Sequence, residues 1–227
     1  YNFDNVRDAM KIVMDGDGLA LSKRRITLST SGVVPMMARA GEEIGVNLAV
    51  SLHAVTKEIR DEIVPINRKY PIKEVLASVN DYLESLPDNR VVTIEYLLIS
   101  GINDHRQHAR ELAELLRWVP CKINLIPFNP FDGSDYQRSS NNAISTFRKL
   151  LQEAGHHRVH GTQHGCLAPP VVAAQRRLGC LQIPVAVVAP EKPVKPVGDV
   201  AEPVFVQGCG HLADGAVEPE KDPAVVA

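Results

Sequence analysis

Between positions 25 and 154 the sequence alternates four short apolar runs with stretches of helical periodicity. The runs are RITLS (25–29), VNLAVSLH (46–53), VVTIEYLLI (91–99) and CKINLI (121–126). Each is short and rich in apolar and β-branched residues, as strands buried in a parallel sheet are. The run at 46–53 reads as apolar on both alternating faces until it stops at Ser51 and His53. Helical stretches fill the gaps. Pro35 suits a first helical turn, and Ile72, Val75, Leu76, Val79, Tyr82 and Leu83 form one apolar stripe. Ala109, Leu112, Leu115, Leu116 and Val119 form another, and Gly155 is a natural stop for a helix over 142–154. A further helix over 4–14, with Asp4 as its N-cap, leads the chain. Such alternation specifies an α/β fold with parallel strands and right-handed crossovers. Four strands do not close a barrel. The fold is therefore an open sheet or an arc of a barrel lacking strands. Such an arc leaves a sheet edge exposed, so marginal stability is expected.

The character changes after Gly155. Residues 171–227 are dominated by Val, Ala and Pro, with Pro184, Pro190, Pro193, Pro196 and Pro203 among the prolines. This reads as a low-complexity, extended or disordered tail, and divides the chain into 1–155 and 156–227. The net charge of −2 argues against nucleic-acid binding by bulk charge but leaves room for local basic patches. The cysteines Cys121, Cys166, Cys180 and Cys209 form no CxxC pair and match no zinc spacing. With no signal-like start and no apolar run near the ~20 residues of a membrane helix, a cytoplasmic location is expected. Tyr1 has no Met before it and a helical pattern begins almost at once, which suggests a piece of a longer protein.

In parallel α/β folds ligands gather at the carboxyl ends of the strands. Here those ends carry Ser29, Thr30 and Ser31; Ser51 and His53; Ser100, Gly101 and Asn103; and Asn129. Hydroxyl, amide and imidazole groups on one rim suit a polar small molecule. The competing reading has them capping helices and closing turns, which Ser31 and Asn103 suit well. A third reading, from a different class, makes the chain part of an unrelated barrel-type enzyme that uses the same rim for a phosphorylated metabolite.

KRRITLSTSGVVP, AVSLHA, IRDEIVPINRKYPI, VTIEYLLISGIND and PCKINLIPFNPF closely resemble the RlmN family of radical S-adenosylmethionine methyltransferases, over residues 1 to about 155. The family methylates adenine C2 in 23S rRNA and tRNA. Its sister branch, Cfr, acts at C8. The resemblance implies a radical-enzyme (β/α)6 partial TIM barrel, incomplete here and represented by its last four strand–helix units. It implies S-adenosylmethionine and a [4Fe–4S] cluster as cofactors, an electron donor for the cluster, and a monomer. It carries cofactor contact onto Ser29, Ser51, Leu52, His53 and Asn129, with Leu52 acting through its backbone.

Two departures accompany the resemblance. The family's CxxxCxxC cluster motif and its glycine-rich motif do not occur in this sequence; both are expected upstream, with two strands, the resolving cysteine and an RNA-contacting region. No metal ligands are therefore assigned. The methyl-carrying cysteine of the family lies in ACGQLAG, after an RGDDI-like segment. The nearest echo is GCGHLAD, which makes Cys209 the candidate. A change of reading frame near Gly155 is one hypothesis for both the displaced motif and the altered composition; RGDDI…ACGQL in another frame of the coding DNA is its test. The chain alone is expected to be inactive, or a non-catalytic remnant serving as an interaction piece.

Among single residues, Arg138 on the active rim is the candidate RNA phosphate contact. Lys23, Arg24 and Arg25 stand at the opposite edge and read as a solvated turn. Cys121 reads as a buried thiol, and the run His156, His157, His160 and His164 has no metal-site spacing. Glu95 has two readings left open: a polar contact inside the barrel, or a partner for a nearby lysine.

Overall fold

The computed structural model describes residues 2–131, 133–161 and 181–183. Helix α1 (Phe3–Met14) leads into β1 (Ile26–Thr30), α2 (Val34–Glu43), β2 (Asn47–Ser51), α3 (Lys57–Ile63), α4 (Ile72–Glu84) and β3 (Val92–Leu98). Then follow α5 (Arg106–Leu115), β4 (Cys121–Pro127), α6 (Asn141–Glu153), β5 (Val159–Gly161) and β6 (Leu181–Ile183). The sheet order is β5-β4-β3-β2-β1-β6, and every pair is parallel. All four expected strand–helix units form. Thr56 and Ser140 cap α3 and α6 with their hydroxyls, and Gly155 turns the chain after α6 at φ +97°. Asp4 does not cap α1; it lies in the first turn and binds Arg7 and Arg39.

Strands β1 to β5 follow one another in both sequence and space. With right-handed crossovers, a monotonic order puts every connecting helix on one face of the sheet. The packing agrees. The helices' apolar stripes meet Ile26, Leu28, Leu48, Val50, Val92, Ile94, Tyr96, Leu98, Ile123, Leu125 and Val159 in one core. All of these lie on one face, by the alternation of strand side chains and the parallel register. The other face carries Thr27, Ser29, Asn47, Ser51, Thr93, Glu95, Lys122, Asn124 and His160, with three apolar residues, Ala49, Leu97 and Ile126. None of these belongs to the core. The run at 46–53 is thus not apolar throughout on both faces: Leu48 and Val50 meet helices, whereas Asn47 and Ser51 face away with the buried Ala49 between them. A sheet with one polar face and helices on the other is the wall of a barrel, not the middle layer of a doubly wound fold.

Two strands lie beyond the expected boundary at Gly155. β5 continues the sheet past β4, and β6 pairs with β1 from Ile26 to Leu28. The edge of β1, expected to be bare, is therefore paired over those residues. Three-residue strands show no period in a sequence, which is why both escaped notice.

The two faces carry unequal shares of the stability. Ile123, in the core, and Lys122, exposed on the other face, are neighbours in β4. Ile123→Ala is expected to destabilise by about 2–5 kcal/mol, and Lys122→Ala by no more than about 0.5 kcal/mol. Urea denaturation of the two variants checks this.

Candidate functional site

The carboxyl ends of β1 and β2 are held together by one side chain. Arg60, on α3, is fully buried. Its Nε donates to the Leu52 carbonyl at 3.0 Å, one terminal nitrogen to the Ser31 carbonyl at 2.8 Å and the Ser51 carbonyl at 3.3 Å, and the other to Asn67 Oδ1 at 3.0 Å. Asn67 in turn donates to Asp61 at 2.6 Å. Burial lowers the guanidinium to about 10, with Asp61 opposing, so it stays charged at neutral pH. The planar fork of arginine supplies donors in several directions at once, which a lysine ammonium on its stem does not reproduce.

β3 supplies the second clamp. The Glu95 carbonyl accepts from the backbone N–H of Leu52 at 3.0 Å and of His53 at 3.3 Å. The Ser51 hydroxyl donates to the Glu95 carboxylate at 3.3 Å. His53 adopts φ +59°, a left-handed conformation uncommon for a side-chain-bearing residue. Its Nδ1 accepts from Leu97 N–H at 3.1 Å. The neutral ring therefore carries its proton on Nε2, leaving that nitrogen as a donor. Burial, helped by the Arg60 charge, pushes the imidazole down to about 4. Asn103 is fully buried: its amide donates to the carbonyls of His53 (2.8 Å) and Leu97 (2.6 Å) and accepts from Ile99 N–H (2.7 Å). The competing turn-closing reading is the right one for Asn103. It also holds for Thr30, whose hydroxyl accepts from Gly32 N–H at 3.1 Å.

Ser29 and Ser51 lie on the polar face, His53 on the rim above it, and half-buried Asn129 just past β4, where Phe128 N–H is tied to the Leu98 carbonyl at 2.9 Å. The structure brings these four to one edge. Leu52 contributes differently. Its side chain is in the core, and its N–H and carbonyl are taken by Glu95, Arg60 and Ala54. Arg138 is half-buried on the same edge, where it bridges Ile99 while Ser100 N–H donates to the Gln137 carbonyl at 2.9 Å. Glu95 bonds Ser51, and no lysine lies within ion-pair distance of it among the described residues. Cys121 is a thiol pushed up to about 12 by burial. Arg24 pairs with Asp88 at 3.0 Å at the opposite edge. His156 is bound to the Ala113 carbonyl, and His160 sits on β5. Cys166, Cys180, His164 and Cys209 lie outside the described residues.

Comparison with known proteins decides the ancestry. The chain is 64% identical over 157 residues to the dual-specificity RNA methyltransferase RlmN of Novosphingobium aromaticivorans, covering 68% of this chain and 36% of that protein. It is 56% identical over 155 residues to the RlmN of Gluconobacter oxydans, covering 68% of this chain and 38% of that protein. The chain belongs to the RlmN family. It spans little more than a third of the length of these relatives. A radical SAM methyltransferase structure from Sphaerobacter thermophilus superposes with a TM-score of 0.64 at 41% identity, over 71% of this chain and 47% of that one. A domain of pyruvate-formate lyase-activating enzyme from Bacteroides vulgatus shares the fold at a TM-score of 0.53 and 16% identity, over 70% of this chain and 91% of that one. No family model matches the sequence. The helix-covered parallel sheet is thus an arc of the radical SAM partial barrel.

The residues present fit the two cofactors of such enzymes unequally. Ser29, Ser51, His53 and Asn129 offer hydroxyl, imidazole and amide groups suited to a polar nucleoside. For an iron–sulfur cluster there is no fit. Among the described residues no three His, Cys, Asp or Glu side chains gather, and Cys121 stands alone as a thiol.

Sequence reading missed Arg60. Its signal was present: Arg60, Val64 and Asn67 follow helical spacing, and all three are buried. Arg60→Ala removes the donors from three carbonyls and is expected to destabilise by about 3–5 kcal/mol. Arg60→Lys is expected to recover less than half of that. Denaturant midpoints measure both. His53 gives a second expectation. Its folded form holds protons more weakly than its ordinary value of 6.5, so the unfolded chain binds the proton first. The stability it contributes is intact above about pH 6.5 and is lost as pH falls toward about 4. The His53 ring resonance, followed by NMR from pH 7 to 4, is expected to keep its neutral position above pH 5.

Proposed function

We propose that this chain supplies the carboxyl-rim wall of a radical S-adenosylmethionine methyltransferase acting on C2 of adenine in 23S rRNA and tRNA. One observation carries the reading. Four segments shared with a family of RNA methyltransferases, ending at Ser29, His53, Asn103 and Asn129, meet at one edge beside a polar sheet face. In this reading Ser29, Ser51, His53 and Asn129 hold and orient the nucleoside part of the cofactor. Leu52 sets the backbone of its neighbours, and Nε2–H of His53 is a fixed donor because its Nδ1 is already engaged. S-adenosylmethionine, together with the family's [4Fe–4S] cluster and an electron donor, supplies the radical and methyl chemistry. No residue described here holds that cluster, so activity is assigned to a protein that joins this segment to the cysteine motif. Arg138 is assigned to an RNA phosphate. Cys209 is assigned as methyl carrier through its GCGHLAD context, with the division between 1–155 and the tail near Gly155. The protein is read as a cytoplasmic monomer; no helix among the described residues is long and apolar enough to cross a membrane.

The test is a graft. Residues 1–155 replace the matching segment of a full-length RlmN in cells lacking their own enzyme, and RNA nucleosides are read by mass spectrometry. The expected result is 2-methyladenosine, lost when Ser29 and Asn129 are both changed to Ala. 8-Methyladenosine points instead to the Cfr branch. A soluble, cluster-loaded graft that methylates neither position contradicts the assignment.

A further inference from the structure

Glu95 belongs to no helix cap, ion pair or turn. It lies in the middle of β3, yet its register partner is Ser51, the last residue of β2. It therefore stands at the height of the rim although its own strand runs on to Leu98. It shares the polar face with Ser51 on one side and Asn124 on the other. The carboxyl is largely removed from water, and burial raises its proton affinity. A buried carboxylate needs several donors to offset its lost hydration. The fold gives it one, the Ser51 hydroxyl, at the long distance of 3.3 Å to Oε2. Oε1 has no partner among the described residues, and it is not among the atoms sealed from solvent. Meanwhile the Glu95 carbonyl is held by the N–H groups of Leu52 and His53, and the Ser51 hydroxyl ties the carboxylate to the end of β2.

We propose that Glu95 is a binding residue of this site, accepting hydrogen bonds from the vicinal hydroxyls of a ribose. The donor pattern points there. The Ser51 proton is spent on Oε2, so Ser51 and Glu95 together present only acceptor lone pairs on this face of the sheet. A ligand group with two adjacent donors satisfies them. A carboxylate paired with ribose hydroxyls is the same solution by which dinucleotide-binding folds select their cofactor. Ser29 stands on the same face within the neighbouring strands, so the ribose is placed among groups already assigned to the nucleoside. This inference rests on the reading of the rim as a nucleoside site and adds to it a residue and the part of the ligand it takes.

5′-Methylthioadenosine has the ribose without an amino-acid ammonium, and its 2′-deoxy analogue lacks one hydroxyl of the pair. Titration calorimetry of the chain with both probes is the test. The unaltered chain is expected to bind 5′-methylthioadenosine at least ten-fold more tightly than the 2′-deoxy analogue. Glu95→Gln is expected to weaken the first at least ten-fold and the second, which keeps one hydroxyl of the pair, several-fold less. A residue with a merely structural role loses both equally. Equal affinity of the unaltered chain for the two probes overturns the assignment of Glu95 while leaving the nucleoside site standing, and it needs no variant to fold. Failure of the unaltered chain to bind either probe overturns the nucleoside site and this inference together. Binding of S-adenosylmethionine that weakens in Glu95→Gln, with both probes unaffected, overturns the ribose assignment in favour of the ammonium.

Discussion

The rim depends on a charge that the fold has taken out of water. Arg60 is buried without a carboxylate in direct contact, and its hydration is replaced by carbonyls of Ser31, Ser51 and Leu52 and by the Asn67 amide. Backbone carbonyls that leave a strand end have no ladder partner, and leaving them unpaired in a buried place costs about 1–3 kcal/mol each. One guanidinium satisfies three of them across two strands. Ser29 and Ser51 consequently keep a fixed spacing, because the residues that follow them share one donor. Asn103 does the same between β2 and β3 with a neutral amide. Rim geometry here comes from two fully buried side chains.

The second constraint is the order of the strands. A chain that adds each strand beside the last, always with the same crossover hand, puts its helices on one side. The other side is then free to be polar, since no helix has to be packed against it. Threonine, serine, asparagine, glutamate and lysine predominate there, with Ala49, Leu97 and Ile126 among them, while leucine, isoleucine and valine on the opposite face bind the helices. Fold and site are thus two consequences of the same period of two.

Most of the architecture was legible in the sequence. The four longer strands and the amphipathic helices declared themselves by period, and the residues of the rim by their places at strand ends. What escaped had physical reasons. Two strands of three residues carry no period. A helix of seven residues, α3, is too short for its inward stripe to stand out on its own, so Arg60 drew no reading. Glu95 is in mid-strand by sequence and at the rim in space, because β2 ends while β3 continues; register, not sequence, decides that. Leu52 was assigned a backbone role at the ligand, but its backbone groups are already engaged within the protein.

The central claim is that the polar face of the sheet, not the helical side, is where a nucleoside cofactor lies. Amide and side-chain chemical-shift mapping during titration with S-adenosylmethionine tests it most directly. Shifts confined to Ser29, Ser51, His53, Glu95, Asn124 and Asn129 are expected. Saturable shifts concentrated on α2, α4 or α5 instead, or none anywhere, contradict it.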